Sequence, residues 1–470
     1  MKSPWAAATA ALCLLGQGAD AVALTVTDDT SVLNAAGTVA YGLMKYYTGN
    51  NTGDNPGNLP DPYYCQETLL FFTDGWEAGA MFGTMIDYWL MTKDSSYNTA
   101  TMQAMLWQAG TDGAFLPQNQ SLTEGNDDQG FWAMAAMTAA EDVFPNPPSD
   151  QPQWLAMAQA VFNQYVGRWD PHCGGGLRWQ IFSWNKGYDY KNSVANGCFF
   201  NVAARLARYT GNQTYADWAN KVWEWEKKIG LIGPQYQIYD GLSIDSNNTC
   251  GQMDQNQWSY NAGIYMHGAA AMYNLTNNAT WKATLDGIIT ETVAKFTQNG
   301  IIYEQFCEPR GFCSVDQSTF KGYLVRYMAS TMQLAPHTIQ KLMPLITNSA
   351  SAAASICTGP ASAAFKGIDG TGCGFAWVPK GTYDGKNGVG SQMNALDAIM
   401  YTRVLKAPAP ATAKKGGTSK GDPGAGMGNI DPAGDIDKIT KPTTGGKVGA
   451  AILTLLLLLS VLGGSAVLLL

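Results

Sequence analysis

Histidine is nearly missing from this chain of 470 residues, with His172, His267 and His337 the only ones. None of them sits in a His-x-x-x-His pair and no Cys-x-x-Cys pair occurs. A zinc site is therefore not expected, no cofactor is implied, and a Ser-His-Asp hydrolase has little to draw on. Charge is sparse too, at 14% of residues, and the formal net charge of −8 comes with no basic cluster in the part expected to fold. Nucleic acid is a poor partner for such a surface. Persuasive runs of alternating apolar and polar residues are also lacking, which argues against a β fold. With these exclusions, carboxylates are the main candidate catalysts.

What is present points first to export. Lys2, an apolar run from Ala6 to Leu15 and small residues at Ala19, Ala21 and Ala23 read as a signal peptide, residues 1–23, cleaved after Ala23. At the other end, Val448 to Leu470 is apolar and uncharged and follows a Lys-, Gly-, Pro- and Thr-rich segment, 406–447, read as a linker. A signal at one end and such a tail at the other favour exchange for a glycosylphosphatidylinositol (GPI) lipid, and so a membrane partner through that anchor. Small triplets such as Gly424-Ala425-Gly426 and Ala433-Gly434-Asp435 compete as the attachment region. Nine cysteines less Cys13 of the signal leave eight, an even number that fits disulfides in an exported chain. The local pairs Cys307–Cys313 and Cys357–Cys373 are expected, while Cys65, Cys173, Cys198 and Cys250 allow three connectivities. Six Asn-x-Ser/Thr sites, at Asn50, Asn119, Asn212, Asn247, Asn274 and Asn278, are expected to carry glycans. The 15 tryptophans and 22 tyrosines are many for so few charges; most will be core, and a few can stack on flat sugar faces.

Helical periodicity divides residues 24–405 into twelve segments: Ser31–Tyr47, Asp74–Met91, Ser95–Gln108, Asp127–Val143, Pro152–Trp169, Lys191–Tyr209, Gln213–Ile229, Gln257–Tyr273, Ala279–Gln298, Ser318–Leu334, Thr338–Ile356 and Gly388–Leu405. The even-numbered segments open on Gly, Asn, Trp or acidic residues and are rich in Ala and Gly, so they can pack closely. The odd ones show a polar face, as in Gln213–Ile229 with Asp217, Lys221, Glu224, Lys227 and Lys228. This alternation predicts an all-α toroid of six helical hairpins, with even helices inside and their N-termini lining one mouth. Asp74, Trp76, Asp127, Asp128, Asn196, Tyr260, Asn261 and Asn394 should then gather there.

The central stretch runs from Glu124 to Glu141. Phe131, Met134, Ala135 and Thr138 recur at helical spacing, and Asn126 with Gln129 is placed like an N-cap and its third-position partner. Asp127 and Asp128 fall in the first turn. Successive residues diverge by about 100°, so the pair can approach one bound group from two sides, as a two-carboxylate glycosidase requires. Trp132, four positions after Asp128, shares its helix face and is expected to wall the sugar site.

These residues resemble the mannan endo-1,6-α-mannosidases of glycoside hydrolase family 76, and within them the fungal GPI-anchored cell-wall members. The resemblance is carried by Glu124 to Trp132, Gly176-Leu177-Arg178-Trp179-Gln180, Lys191 to Gly197, Trp258 to Gly263, Phe320 to Arg326 and Cys373 to Trp377. It implies an (α/α)6 toroid and retaining chemistry on α-1,6-mannan or GPI-glycan mannose, with Asp127 as nucleophile and Asp128 as acid/base. Asp74, Trp76, Trp132, Asn196, Tyr260, Asn261 and Asn394 are the expected substrate-binding residues. Two other readings stand beside it: a transglycosidase that joins GPI-anchored proteins to a cell-wall polysaccharide acceptor, and a catalytically silent mannan-binding protein. The second leaves two adjacent acids without a purpose.

Overall fold

The computed structural model describes residues 22–60, 75–118, 120–245, 250–378, 381–429, 449 and 451–454. Twelve α-helices of more than ten residues lie among them: α1 Asp29–Met44, α2 Trp76–Thr92, α3 Asn98–Gln108, α4 Asn126–Glu141, α5 Trp154–Gly167, α6 Ser193–Thr210, α7 Gln213–Ile229, α8 Ser259–Thr276, α9 Ala279–Phe296, α10 Phe320–Leu334, α11 Ile339–Ser355 and α12 Val389–Met400. Each answers to one of the twelve expected segments.

The alternation holds in space. Helices α2, α4, α6, α8, α10 and α12 pack in succession and the ring closes from α12 to α2, while α3, α5, α7, α9 and α11 lie against it from outside and α1 packs chiefly on α12. Inner helices such as α8 and α12 are buried all round. Outer ones bury a stripe, in α7 formed by Tyr215, Ala216, Ala219, Val222, Trp223, Trp225 and Glu226. Close packing of the inner ring rests on missing side chains: a Cβ on Gly263 would lie 3.0 Å from the Leu324 backbone, and one on Gly79 3.0 Å from the Trp132 ring. The N-termini of the inner helices converge at one end.

Among the described residues seven short strands, absent from the sequence reading, decorate the toroid. β1 (Tyr190–Asn192), β2 (Gly241–Ile244) and β3 (Cys250–Asp254) form an antiparallel sheet beside the mouth. β4 (Thr297–Gln298) pairs with β5 (Ile301–Ile302), and β6 (Cys357–Gly359) with β7 (Gly372–Cys373). Disulfides join Cys307 to Cys313 and Cys357 to Cys373. A third joins Cys173 to Cys250 and braces β3; Cys198 is a buried free thiol, and Cys65 lies outside the described residues.

The segment after α12 departs from its reading as a linker. Residues 407–429 lie packed on the domain. Arg208 donates to the carbonyls of Pro410 and Ala411, the Ala411 N–H donates to Glu141 O at the end of α4, and Ser419 Oγ accepts the Leu155 N–H in the first turn of α5. Asn163 Nδ2 holds the carbonyls of Pro423 and Ala425. The strap supplies acceptors to buried donors, which a solvated linker would not do. No helix among the described residues is long and apolar enough to cross a membrane; residues 1–21 of the expected signal and most of the apolar tail lie outside them. Asn50, Asn212, Asn274 and Asn278 are exposed, and Asn119 and Asn247 lie outside the described residues.

Candidate active site

The start of α4 is built differently from the sequence reading. The N-cap is Gly125, not Asn126, and the reciprocal contact comes from Asp128, whose Oδ2 accepts the Gly125 N–H at 2.7 Å. Asn126 and Gln129 instead fasten the helix to its surroundings. Asn126 Nδ2 donates to Arg178 O and its Oδ1 accepts from Arg168 Nε, while Gln129 Nε2 donates to Ala114 O and to Gln164. Tyr165 OH also donates to Asn126 O. The first turn is thereby gripped from behind through Asn126 and Gln129.

The segment 177–180 is laid against this turn. Asn126 N donates to Trp179 O at 2.8 Å, and Gly125 and Gln180 form an antiparallel bridge. The Trp179 indole then reaches forward, and its Nε1–H donates to Asp127 Oδ2 at 2.9 Å. A Cβ on Gly125 would overlap Asp127 Oδ1 and press on Asp128 Oδ2 at 3.1 Å. One oxygen of each acid therefore flanks the same point above Gly125. They stand within the roughly 5–5.5 Å that separates the carboxyls of a retaining glycosidase.

Above the pair lies a cleft of about 190 Å³. One wall is aromatic: Trp76, Phe131, Tyr260 and Phe320, with Tyr260 stacked on Phe320 at 4.0 Å between ring centres and Trp76 tilted on Phe131 at 5.0 Å. The other is polar, from Trp179, Gln180, Tyr190, Asn192, Asp240 and Asp316. Asp240 is held by Tyr190 OH at 2.6 Å and Trp258 Nε1 at 2.8 Å, and burial pushes its carboxyl above the usual range.

Of the expected site residues, Trp76, Asp127, Asp128 and Tyr260 line this cleft. Asp74 lies outside the described residues. Asn196, Asn261 and Asn394 sit at the same end but are wholly buried behind the lining. Asn196 clamps Leu177, accepting its N–H at 2.7 Å and donating to its carbonyl at 3.0 Å, and so steadies the segment that carries Trp179. Asn394 accepts the Gly322 N–H and donates to Ser318 O, tying α12 to the start of α10. Trp132 is not part of the site. It is 1% exposed, stacked between Phe82 and Phe115 and covering Gly79. Phe131, one position earlier and four after Asp127, lines the cleft instead. Trp179, Gln180 and Asn192 stand in the sequence only as parts of longer motifs, and Asp240 stands alone with no signal to mark it.

An all-α double ring of helices with two carboxylates at the base of an aromatic-walled cleft defines the class: a carbohydrate-cleaving toroid. The chain belongs to glycosyl hydrolase family 76, whose model matches residues 31–414. It is 46% identical over 94% of both chains to Mannan endo-1,6-alpha-mannosidase DCW1 of Saccharomyces cerevisiae. Among solved structures it is similar to Dfg5 from Chaetomium thermophilum in complex with glucosamine, at 42% identity and a TM-score of 0.80, covering 87% of this chain and 99% of that one. It also shares its fold with the α-1,6-mannanase GH76A of Salegentibacter sp. HEL1_6, at 18% identity and a TM-score of 0.60, covering 80% of this chain and 99% of that one. That mannanase was solved with α-1,6-mannotetrose as an inactive variant in which two consecutive aspartates are replaced by alanine.

Proposed function

We propose that this protein is a retaining, endo-acting α-1,6-mannosidase of the fungal cell surface that acts on α-mannan or GPI-glycan mannose in building the cell wall. The observation that carries this is the convergence of Asp127 and Asp128 over Gly125 at the base of the aromatic-walled cleft. Asp127, oriented by the charge-assisted bond from Trp179, attacks the anomeric carbon of a mannosyl unit. Asp128 protonates the leaving oxygen, and the C–O bond breaks as the glycosyl ester forms on Asp127. The deprotonated Asp128 then takes a proton from water, whose oxygen displaces the ester and returns an α-configured product. A hydroxyl of a cell-wall polysaccharide in the place of water gives transfer instead. Trp76, Phe131, Tyr260 and Phe320 offer flat faces for sugar rings. The apolar tail, 448–470, is replaced by a lipid that holds the enzyme at the surface.

Incubation of the secreted protein with α-1,6-mannan fragments, with and without a GPI-glycan acceptor, tests the reading. Shortened mannooligosaccharides identified by mass are expected. Recovery of intact fragments from both incubations would sink it.

A further inference from the structure

At the end of the toroid opposite the mouth, the turns from α6 to α7 and from α8 to α9 repeat one pattern: a threonine, a residue with left-handed backbone, then Asn-x-Thr. The two copies are Thr210-Gly211-Asn212-Gln213-Thr214 and Thr276-Asn277-Asn278-Ala279-Thr280, with φ of 72° at Gly211 and 49° at Asn277. In each, the first threonine hydroxyl accepts the asparagine N–H, at 3.1 and 3.3 Å, and the asparagine Oδ1 accepts the N–H two residues on, at 3.0 and 2.7 Å. Helix capping accounts for the asparagines. It does not account for Thr214 and Thr280, which are exposed and whose hydroxyls make no hydrogen bond among the described residues. The side-chain Nδ2 of Asn212 and of Asn278 is likewise left over by the cap.

Both asparagines line one hollow of about 300 Å³, well away from the catalytic cleft. Met272, Leu275 and Trp281 give it an apolar lining and Asn220 adds an amide; Leu275 is 37% exposed. A sugar with one apolar C–H face and an acetyl methyl suits such a lining, and an asparagine at its edge sets the point of attachment. The neighbouring acceptor sequence at Asn274 is placed otherwise. Its Oδ1 accepts from Arg208 Nε and its Nδ2 donates to Leu334 O, both at 2.9 Å, so its amide is fixed between the ends of α6 and α10. We propose that Asn212 and Asn278 carry N-linked glycans, that Asn274 does not, and that the hollow seats N-acetylglucosamine attached at its edge. In the reaction the Nδ2 displaces a polyprenyl diphosphate from C1 of the donor oligosaccharide, losing one proton and keeping the other. Oδ1 remains an acceptor, so each cap survives the modification. The inference rests on passage through the secretory pathway and not on the mannosidase reading.

The test uses the full chain made in a yeast secretory pathway. Glycopeptide mass spectrometry should find glycans on Asn212 and Asn278 and a bare Asn274. Trimming with endoglycosidase H, which leaves one N-acetylglucosamine on each asparagine, should leave Tm where it was. Removing the whole glycan with peptide N-glycosidase F, which leaves aspartate, itself a good cap, should lower Tm by about 2 °C or more. Thr214→Ala with Thr280→Ala deletes both acceptor sequences while keeping both caps, and should show the same loss should the amidase fail to reach the native sites. Thr52→Ala, which deletes only the Asn50 acceptor sequence, should not. A bare Asn212 or Asn278, a glycan on Asn274 in place of either, or equal melting of the trimmed and stripped forms overturns the proposal.

Discussion

The indole N–H of Trp179 is bonded to the carboxylate of Asp127 at 2.9 Å, across 52 positions of chain. The bond exists because segment 177–180 is bridged to Gly125 and clamped by Asn196, which leaves the indole one direction to point. A hydrogen bond to a charged group contributes about 1.5–3 kcal/mol. Trp179→Phe keeps a ring in place and removes the donor. It is expected to lower kcat by about 10- to 100-fold on mannan fragments with little change in melting temperature. Unchanged kcat would show that Asp127 needs no such orientation.

The paired acids separate by leaving group. Asp127→Asn should abolish turnover of every substrate, because the ester cannot form. Asp128→Asn should be nearly inactive on natural mannosides yet still form the intermediate from a mannosyl donor whose leaving group needs no proton. Azide should rescue the first variant with a β-product and the second with an α-product, read by NMR of the mannosyl azide. The opposite pattern exchanges the two roles.

Acid should loosen the segment that carries Trp179. Burial alone would raise the Asp170 carboxyl, but hydrogen bonds from Lys191, His172 and Arg178 outweigh it and hold it at about 2. Its folded value lies below the unfolded one of about 3.9, so its contribution is complete above that pH and is lost as pH falls towards 2. Melting temperature followed from pH 6 to pH 2 is expected to drop in wild type. Asp170→Asn should start several degrees lower and fall less steeply between pH 4 and 2. Parallel curves would remove Asp170 as the source.

The strap makes a distinction between two truncations. Ending the chain after Asn429 should release a folded, soluble protein with wild-type melting temperature. Ending it after Ala407 removes the carbonyl acceptors of Arg208 and Asn163, the Glu141 contact and the hydroxyl that accepts the Leu155 N–H. At about 0.5–1.5 kcal/mol for each bond, melting should fall by several degrees or more. Equal melting of the two forms would return 406–447 to the status of a linker.

Local periodicity alone placed the twelve helices and sorted inner from outer, because an all-buried helix carries Ala and Gly where a half-buried one carries charge. The disulfides Cys307–Cys313 and Cys357–Cys373, which span 6 and 16 residues, were likewise within local reach. So were Asp127 and Asp128, since a helix start fixes both at once. Tertiary structure decided the rest. Cys173–Cys250 spans 77 residues, and strands of two to five residues are too short to show a period. The strap reads as linker because its backbone, not its side chains, makes most of its contacts. Trp132 and Phe131 both stand at helical spacing from an acid, and only the packing of α2 and of Phe115 around α4 turns one ring into the core and leaves the other facing the cleft.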